Sequence, residues 1–126
     1  MVAATDLPEA AERVLVVDDD AAVRAVLAQI LADEGFDVVA TAADGLQAVS
    51  LAEAFRPDAV VLDVRMPGVD GIEAARRIRL RDPRVRLVML SAYDDATLQR
   101  EAAEAGANSF LVKGCPLPDL VDAMTG

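Results

Sequence analysis

The sequence of 126 residues predicts an α/β fold, a single doubly wound parallel sheet with helices packed on both faces. Two patterns carry that prediction. Short apolar runs rich in Val and Leu recur along the chain, and between them apolar residues repeat at helical spacing. Arg13-Val14-Leu15-Val16-Val17 reads as the first strand, because strands buried on both faces are near-continuous apolar runs. Ala22, Val23, Val26, Leu27, Ile30 and Leu31 then stripe a helix, and Gly35 stands where a helix C-terminus favours glycine. Residues 37–41 read as the second strand. Ala48, Leu51, Ala52 and Phe55 mark a helix stopped before Pro57. Residues 58–62 read as the third strand, and Ile72, Ala75 and Ile78 as one face of a helix ending near Asp82-Pro83. Leu87-Val88-Met89-Leu90 is the fourth strand and runs into Ser91-Ala92. Residues 94–105 form a weaker helix with Leu98, Ala102 and Ala105 inward, closed by Gly106. Residues 109–112 make the fifth strand, and Leu117, Leu120, Val121 and Met124 stripe the last helix. Connections this short imply right-handed crossovers and a parallel sheet.

Three of the strands run into charge. The first meets Asp18-Asp19-Asp20, the third meets Asp63 and then Met66-Pro67-Gly68-Val69-Asp70-Gly71, and the fifth meets Lys113, the chain's only lysine. In an open parallel sheet, ligands bind beyond the carboxyl ends of the strands. Groups about fifty residues apart in sequence therefore converge, and carboxylates with one ammonium suit a hard divalent cation and a phosphoryl group.

Composition removes other classes. Hydrophobic residues make up 54% of the chain and aromatics 3%, so the core is Ala, Val, Leu and Ile. No apolar run reaches the roughly 18 residues of a membrane span, and the start lacks a signal peptide's basic region. With no histidine and one cysteine, Cys115, zinc sites and Ser-His or Cys-His triads are ruled improbable, and no internal disulfide can form. The lone thiol fits a reducing cytosol. A net charge of −10 disfavours nucleic acid and anionic membrane. A local exception is residues 76–86, where Arg76, Arg77, Arg79, Arg81, Arg84 and Arg86 face only Asp82, most simply as a solvated helix end, with a docking patch for an acidic partner as the alternative.

Each charged residue alone has a plain explanation. An Asp between strand and helix is commonly an N-cap, the role Asp20 fits. Asp63 and Met66-Pro67-Gly68 fit a turn, Ser91 a helix cap, Phe110 core, and Lys113 a solvated charge. The joint order outweighs these: acids after strand one, an acid after strand three, a hydroxyl after strand four, a lysine after strand five.

Val-Val-Asp-Asp-Asp, Leu-Asp-Val-Arg-Met-Pro-Gly-Val-Asp-Gly, Leu-Ser-Ala-Tyr and Ala-Gly-Ala-Asn-Ser-Phe-Leu-Val-Lys together resemble the receiver domain of two-component response regulators, over roughly residues 12–125. The resemblance implies a flavodoxin-like strand order 2-1-3-4-5. It implies that Asp63 accepts a phosphoryl group, that Asp18 and Asp19 help hold Mg²⁺ with Asp63 and the carbonyl of Arg65, and that Mn²⁺ can substitute. Ser91 is then the switch hydroxyl, Phe110 the switch aromatic and Lys113 the phosphate-pairing ammonium. The donor is a histidine kinase, since this chain has no histidine of its own. Two departures stand out. Gly114 follows the lysine where the family commonly has a cis proline, so no cis bond is expected, and Ser91 replaces the commoner threonine. Arg65 and Tyr93 are placed to border the phosphoryl group and lengthen its life by obstructing water.

On this reading Ser91 moves toward the phosphoryl group, Phe110 turns inward, and the thinly anchored helix 94–105 shifts. The remodelled face, formed by that helix, the fifth strand and the last helix, is where a homodimer or an effector is read out. Lys-Gly followed by Cys-Pro-Leu-Pro-Asp-Leu looks most like receivers that precede a LuxR-type helix-turn-helix. The last helix stops without a polar tail, so the expectation is of a longer protein whose DNA contact, if any, lies past Gly126. Residues 1–11 are expected as an extension and 12–126 as the receiver. Two rivals remain: an aspartyl phosphatase of the haloacid-dehalogenase type, whose acid spacing Asp18 and Asp20 mimic, and a degenerate receiver that binds without phosphorylation.

Overall fold

Strand and helix alternate without a break through the residues described by the computed structural model, 11–125, so the expected extension over residues 1–11 lies outside them except for Ala11. The elements are β1 Arg13–Val17, α1 Ala21–Asp33, β2 Asp37–Ala42, α2 Gly45–Phe55, β3 Ala59–Asp63, α3 Gly71–Arg81, β4 Arg86–Ser91, α4 Ala96–Glu104, β5 Ser109–Val112 and α5 Leu117–Thr125. All pairings are parallel and the order is β2-β1-β3-β4-β5, as the resemblance implied. Among the described residues no helix is long and apolar enough to cross a membrane.

Period-two alternation along the strands divides the core. Val14, Val16, Ala59, Val61, Val88 and Leu90 pack with Leu31 of α1 and with Leu120 and Met124 of α5. Leu15, Val17, Val60, Leu62, Leu87 and Met89 pack against α2, α3 and α4 through residues such as Ala48, Ala75, Ile78 and Ala102. The largest fully buried side chains are Leu, Met and Val, in keeping with the scarcity of aromatics.

The helix starts follow one device. Asp20, Asp44, Asp70 and Asp95 each cap a helix with a carboxylate that accepts backbone N–H groups. Every such cap lies in a strand-to-helix turn, so the caps gather negative charge at the carboxyl end of the sheet. Asp95 rather than Ser91 caps α4, which therefore begins at Ala96 instead of residue 94. β3 runs 59–63, one residue later than expected, because Asp58 brackets the strand instead of joining it. Its N–H donates to Arg13 O, and its carboxylate accepts the Arg13 N–H. α2 ends on Arg56 in the left-handed region at φ 49°, a conformation glycine usually takes.

The arginine stretch is less free than the sequence suggests. Arg76 and Arg77 pair with Glu73, Arg81 pairs with Glu53 of α2, and Arg79 donates to backbone carbonyls and to Asn108. Asp82 instead accepts the N–H groups of Arg84 and Val85. The partners of four of these six arginines come from outside the stretch or from main chain, which local charge counting cannot reveal.

Two glycines fix the loop after β3. A Cβ on Gly71 would sit 1.9 Å from the Asp63 carbonyl oxygen, and one on Gly45 would sit 2.1 Å from the Val69 carbonyl oxygen. Both neighbours are backbone and cannot step aside. Gly71→Ala is expected to lower stability by about 1–3 kcal/mol, the usual cost of overpacking, and to displace Asp63. Urea unfolding checks this, and an unchanged midpoint would contradict the close packing.

Candidate functional site

Register brings the site together. Val17 pairs with Leu62, so Asp18 and Asp63 stand side by side at the ends of adjacent strands. Ser91 pairs with Val112, so Lys113 starts next to the hydroxyl, with its N–H donating to Ser91 O at 2.7 Å. The lysine side chain then reaches back over β4. Its Nζ lies 2.9 Å from Asp18 Oδ2 and 3.2 Å from Asp63 Oδ2.

Asp18 and Asp63 are buried, and Asp19 is exposed beside them. One carboxylate oxygen from each of the three falls within 4.8 Å of the others. The turn holds Asp18 firmly: Oδ1 accepts the Asp20 N–H at 2.9 Å, and its carbonyl accepts Arg24 Nη1 at 2.7 Å. Asp63 Oδ1 accepts the Arg65 N–H in a long contact of 3.4 Å. Three carboxylates against one ammonium leave the site short of positive charge.

Burial raises the Asp63 carboxyl above its ordinary value, and the Asp18 charge adds to the rise, while Lys113 and the Arg65 N–H oppose it. Burial alone would lower the Lys113 ammonium, but the carboxylates of Asp18 and Asp63 together outweigh it and raise it. The lysine therefore stays charged at neutral pH.

The remaining expected residues fall around this centre. Ser91 is 1% exposed, and its Oγ accepts the Tyr93 N–H at 3.0 Å. Phe110 is half-buried and packs against the core on the α2–α4 side of the sheet. Arg65 and Tyr93 share a surface hollow with Asp94 and Asp95, and the Tyr93 side chain is 63% exposed. Asp20, needed by the phosphatase rival, spends its carboxylate on the N–H groups of Ala22 and Val23. Gly114 has φ +87°, which the fixed ring of proline forbids. Sequence reading missed Arg24, whose contact with the Asp18 carbonyl depends on the helix turn that follows the acid cluster.

Comparison with known proteins places this arrangement. The family model for the response regulator receiver domain matches residues 14–125. The chain is 42% identical over 113 residues to the transcriptional regulatory protein PdtaR of Mycobacterium tuberculosis, covering 89% of this chain and 54% of that protein. It thus spans about half the length of that relative. It is 42% identical over 103 residues to the chemotaxis protein CheY of Bacillus subtilis, covering 82% of this chain and 86% of that one. A crystal structure of a CheX–CheY–BeF₃–Mg complex from Borrelia burgdorferi aligns with TM-score 0.84 and 34% identity, over 93% of this chain and 87% of that one.

A carboxyl whose folded pKa is raised makes folding less favourable when it ionises. Without divalent cations, the Asp63 contribution to stability falls as pH climbs from about 3.8 through the raised folded value, and the loss persists above it. With EDTA present, Asp63→Asn should remove this fall and melt higher than wild type at pH 7. Coincident melting curves from acid to neutral pH would contradict the account.

Proposed function

This chain belongs to the response regulator receiver domain family, and on that premise we propose that Asp63 is its phosphoacceptor. The domain is a phosphorylation-switched signalling module. The observation that carries the assignment to Asp63 is that, of the two buried carboxylates facing the Lys113 ammonium, Asp18 is tied by the ammonium and the Asp20 N–H at 2.9 Å each, whereas Asp63 is held only at 3.2 Å by the ammonium and 3.4 Å by the Arg65 N–H, which leaves its oxygens the freer to attack. We assign the receiver to residues 12–126 and the preceding residues to an extension.

The donor is a phosphohistidine on a partner histidine kinase or phosphotransferase. An oxygen of Asp63 attacks phosphorus, a P–O bond forms as the P–N bond breaks, and the departing imidazole takes up a proton. Positioning and charge neutralisation supply most of the catalysis of such transfers. Lys113 meets the charge on the phosphoryl oxygens. Ser91 turns its O–H toward one of them, which adds a charge-assisted hydrogen bond.

The donor set fits Mg²⁺: hard oxygens from Asp18, Asp19 and Asp63 gathered in one place, with the carbonyl of Arg65 as a further ligand. Bound there, the cation would neutralise the crowded carboxylates and the incoming phosphoryl charge; Mn²⁺ meets the same requirement. The related Borrelia complex contains Mg²⁺ and BeF₃, a stand-in for the phosphoryl group, and supports the reading. Arg65 and Tyr93, which border one hollow, are assigned to phosphoryl lifetime. Ser91 and Phe110 carry the change to the face of α4, β5 and α5, read by a dimer or by an effector of transcription, as the name of the PdtaR relative suggests.

Acetyl phosphate with Mg²⁺ tests the assignment through intact mass. Wild type should gain one phosphoryl group, and Asp63→Asn none. A label that persists in Asp63→Asn would overturn the acceptor, and many turnovers of varied phosphoesters would favour the enzyme rival. Tyr93→Ala and Arg65→Ala should each shorten the mark's lifetime, and decay at the wild-type rate in both would remove the shielding role.

A further inference from the structure

Asp19 is the one member of the acid cluster whose carboxylate the fold does not hold. Asp18 is fixed by the Asp20 N–H and by Lys113, and Asp63 by Lys113 and the Arg65 N–H. Asp19 is exposed, and its carboxylate has no hydrogen-bond or ion-pair partner among the described residues. Its place beside the other two is therefore set by main chain, in the turn Asp18-Asp19-Asp20 that joins β1 to α1.

Arg24 closes that turn from the start of α1. Its N–H donates to Asp20 O at 2.9 Å, and its Nη1 donates to Asp18 O at 2.7 Å. These two carbonyls bracket Asp19, so one residue grips the turn by both backbone and side chain. The other fixed points are the Asp18 N–H on Ala42 O of β2, at 3.1 Å, and the Asp20 carboxylate on the N–H groups of Ala22 and Val23. Asp18 stands past the end of β1, so its carbonyl lies outside the strand ladder and takes its hydrogen bond from Arg24. An arginine beside three consecutive acids has the stronger bond to gain from a carboxylate. Among the described residues Arg24 ion-pairs with none of them, and its donor is spent on a main-chain oxygen.

We infer that Arg24 is a positioning residue for the cation site, holding the β1–α1 turn in the form that brings the Asp19 carboxylate up to Asp18 and Asp63. The inference rests on the reading of those three carboxylates as a cation site. Arg24 supplies no ligand and acts through the Asp18 carbonyl. Its guanidinium has two opposed effects on Mg²⁺ affinity. The positive charge beside the acids repels a cation, while the hydrogen bond orders a ligand that nothing else fixes. Groups that orient metal ligands typically account for 10–100-fold in affinity. The repulsion is the smaller effect, because a half-buried charge is screened by water and salt. Ordering therefore wins, and loss of Arg24 weakens the site.

Titration of the whole chain with Mg²⁺, followed by the amide resonances of residues 18–20 and 63–65, tests this. Arg24→Met should weaken Mg²⁺ binding by about tenfold. Arg24→Lys should recover most of the loss, since a single donor serves the Asp18 carbonyl and an ammonium can supply it. An unchanged Kd in Arg24→Met overturns the inference and leaves the contact a support of α1 alone. A tighter Kd overturns it too, because charge and not the turn would then govern the site, and so does a lysine variant that binds no better than the methionine one. If Arg24→Met fails to fold, Arg24→Gln, whose amide stops short of the carbonyl, carries the same expectation. A metal-free measurement separates this from the cation reading itself. Without divalent ions, Arg24→Met should speed amide exchange at Asp19 and Asp20, and Arg24→Lys should restore the wild-type rate; wild-type rates in Arg24→Met overturn the hold on the turn. A wild type whose resonances ignore Mg²⁺ marks failure of the cation reading, and the metal-free exchange still decides whether Arg24 sets the turn.

Discussion

The contact of Lys113 with Asp18 and Asp63 is the interaction on which the arrangement depends. Two buried carboxylates on neighbouring strands repel, and a third, Asp19, stands beside them. One ammonium, supplied from the far side of β4, partly offsets that repulsion. Parallel pairing in register is what makes the contact reachable, since β3 ends one residue beyond β1 and β5 one residue beyond β3, so Lys113 reaches back to both carboxylates. A buried ion cluster of this kind is a poor source of stability, because desolvation consumes the Coulombic gain. Three carboxylates against one ammonium leave the cluster two positive charges short, a balance that the proposed cation and phosphoryl group would rearrange.

The same end of the sheet collects four Asp helix caps, so its negative potential comes partly from folding requirements and partly from chemistry. Asp20 illustrates the division. It neighbours the site and caps α1 without entering the cluster. On the proposed reading, a cation bound at this end would relieve the repulsion among Asp18, Asp19 and Asp63, and relief of that kind would let a small chemical event shift a population of conformers. Thin anchoring at the start of α4 gives the shift somewhere to go.

Much of this was legible in the sequence because strands buried on both faces announce themselves as apolar runs, and their ends show where the charges lie. Asp18, Asp19, Asp63, Ser91 and Lys113 were found this way, and the structure brings them to one place. Contacts between distant residues, or between a side chain and a carbonyl, left no such trace. Arg79 reads as one more charge in an arginine stretch until Gly106 and Asn108 are seen beside it. Arg81 reads as unpaired until α2 brings Glu53 alongside. Gly71 reads as turn composition, whereas its need is steric and set by the Asp63 carbonyl. Arg56 holds a left-handed cap that composition would give to glycine.

The central claim is that the acid cluster is a cation site whose occupancy competes with protonation of Asp63. Calorimetric titration with Mg²⁺ across pH, in buffers of different ionisation enthalpy, measures both affinity and protons released. Affinity should weaken as pH falls toward the raised Asp63 value, with proton release growing over the same range. No heat of Mg²⁺ binding, or an affinity indifferent to pH with no proton released, would contradict it.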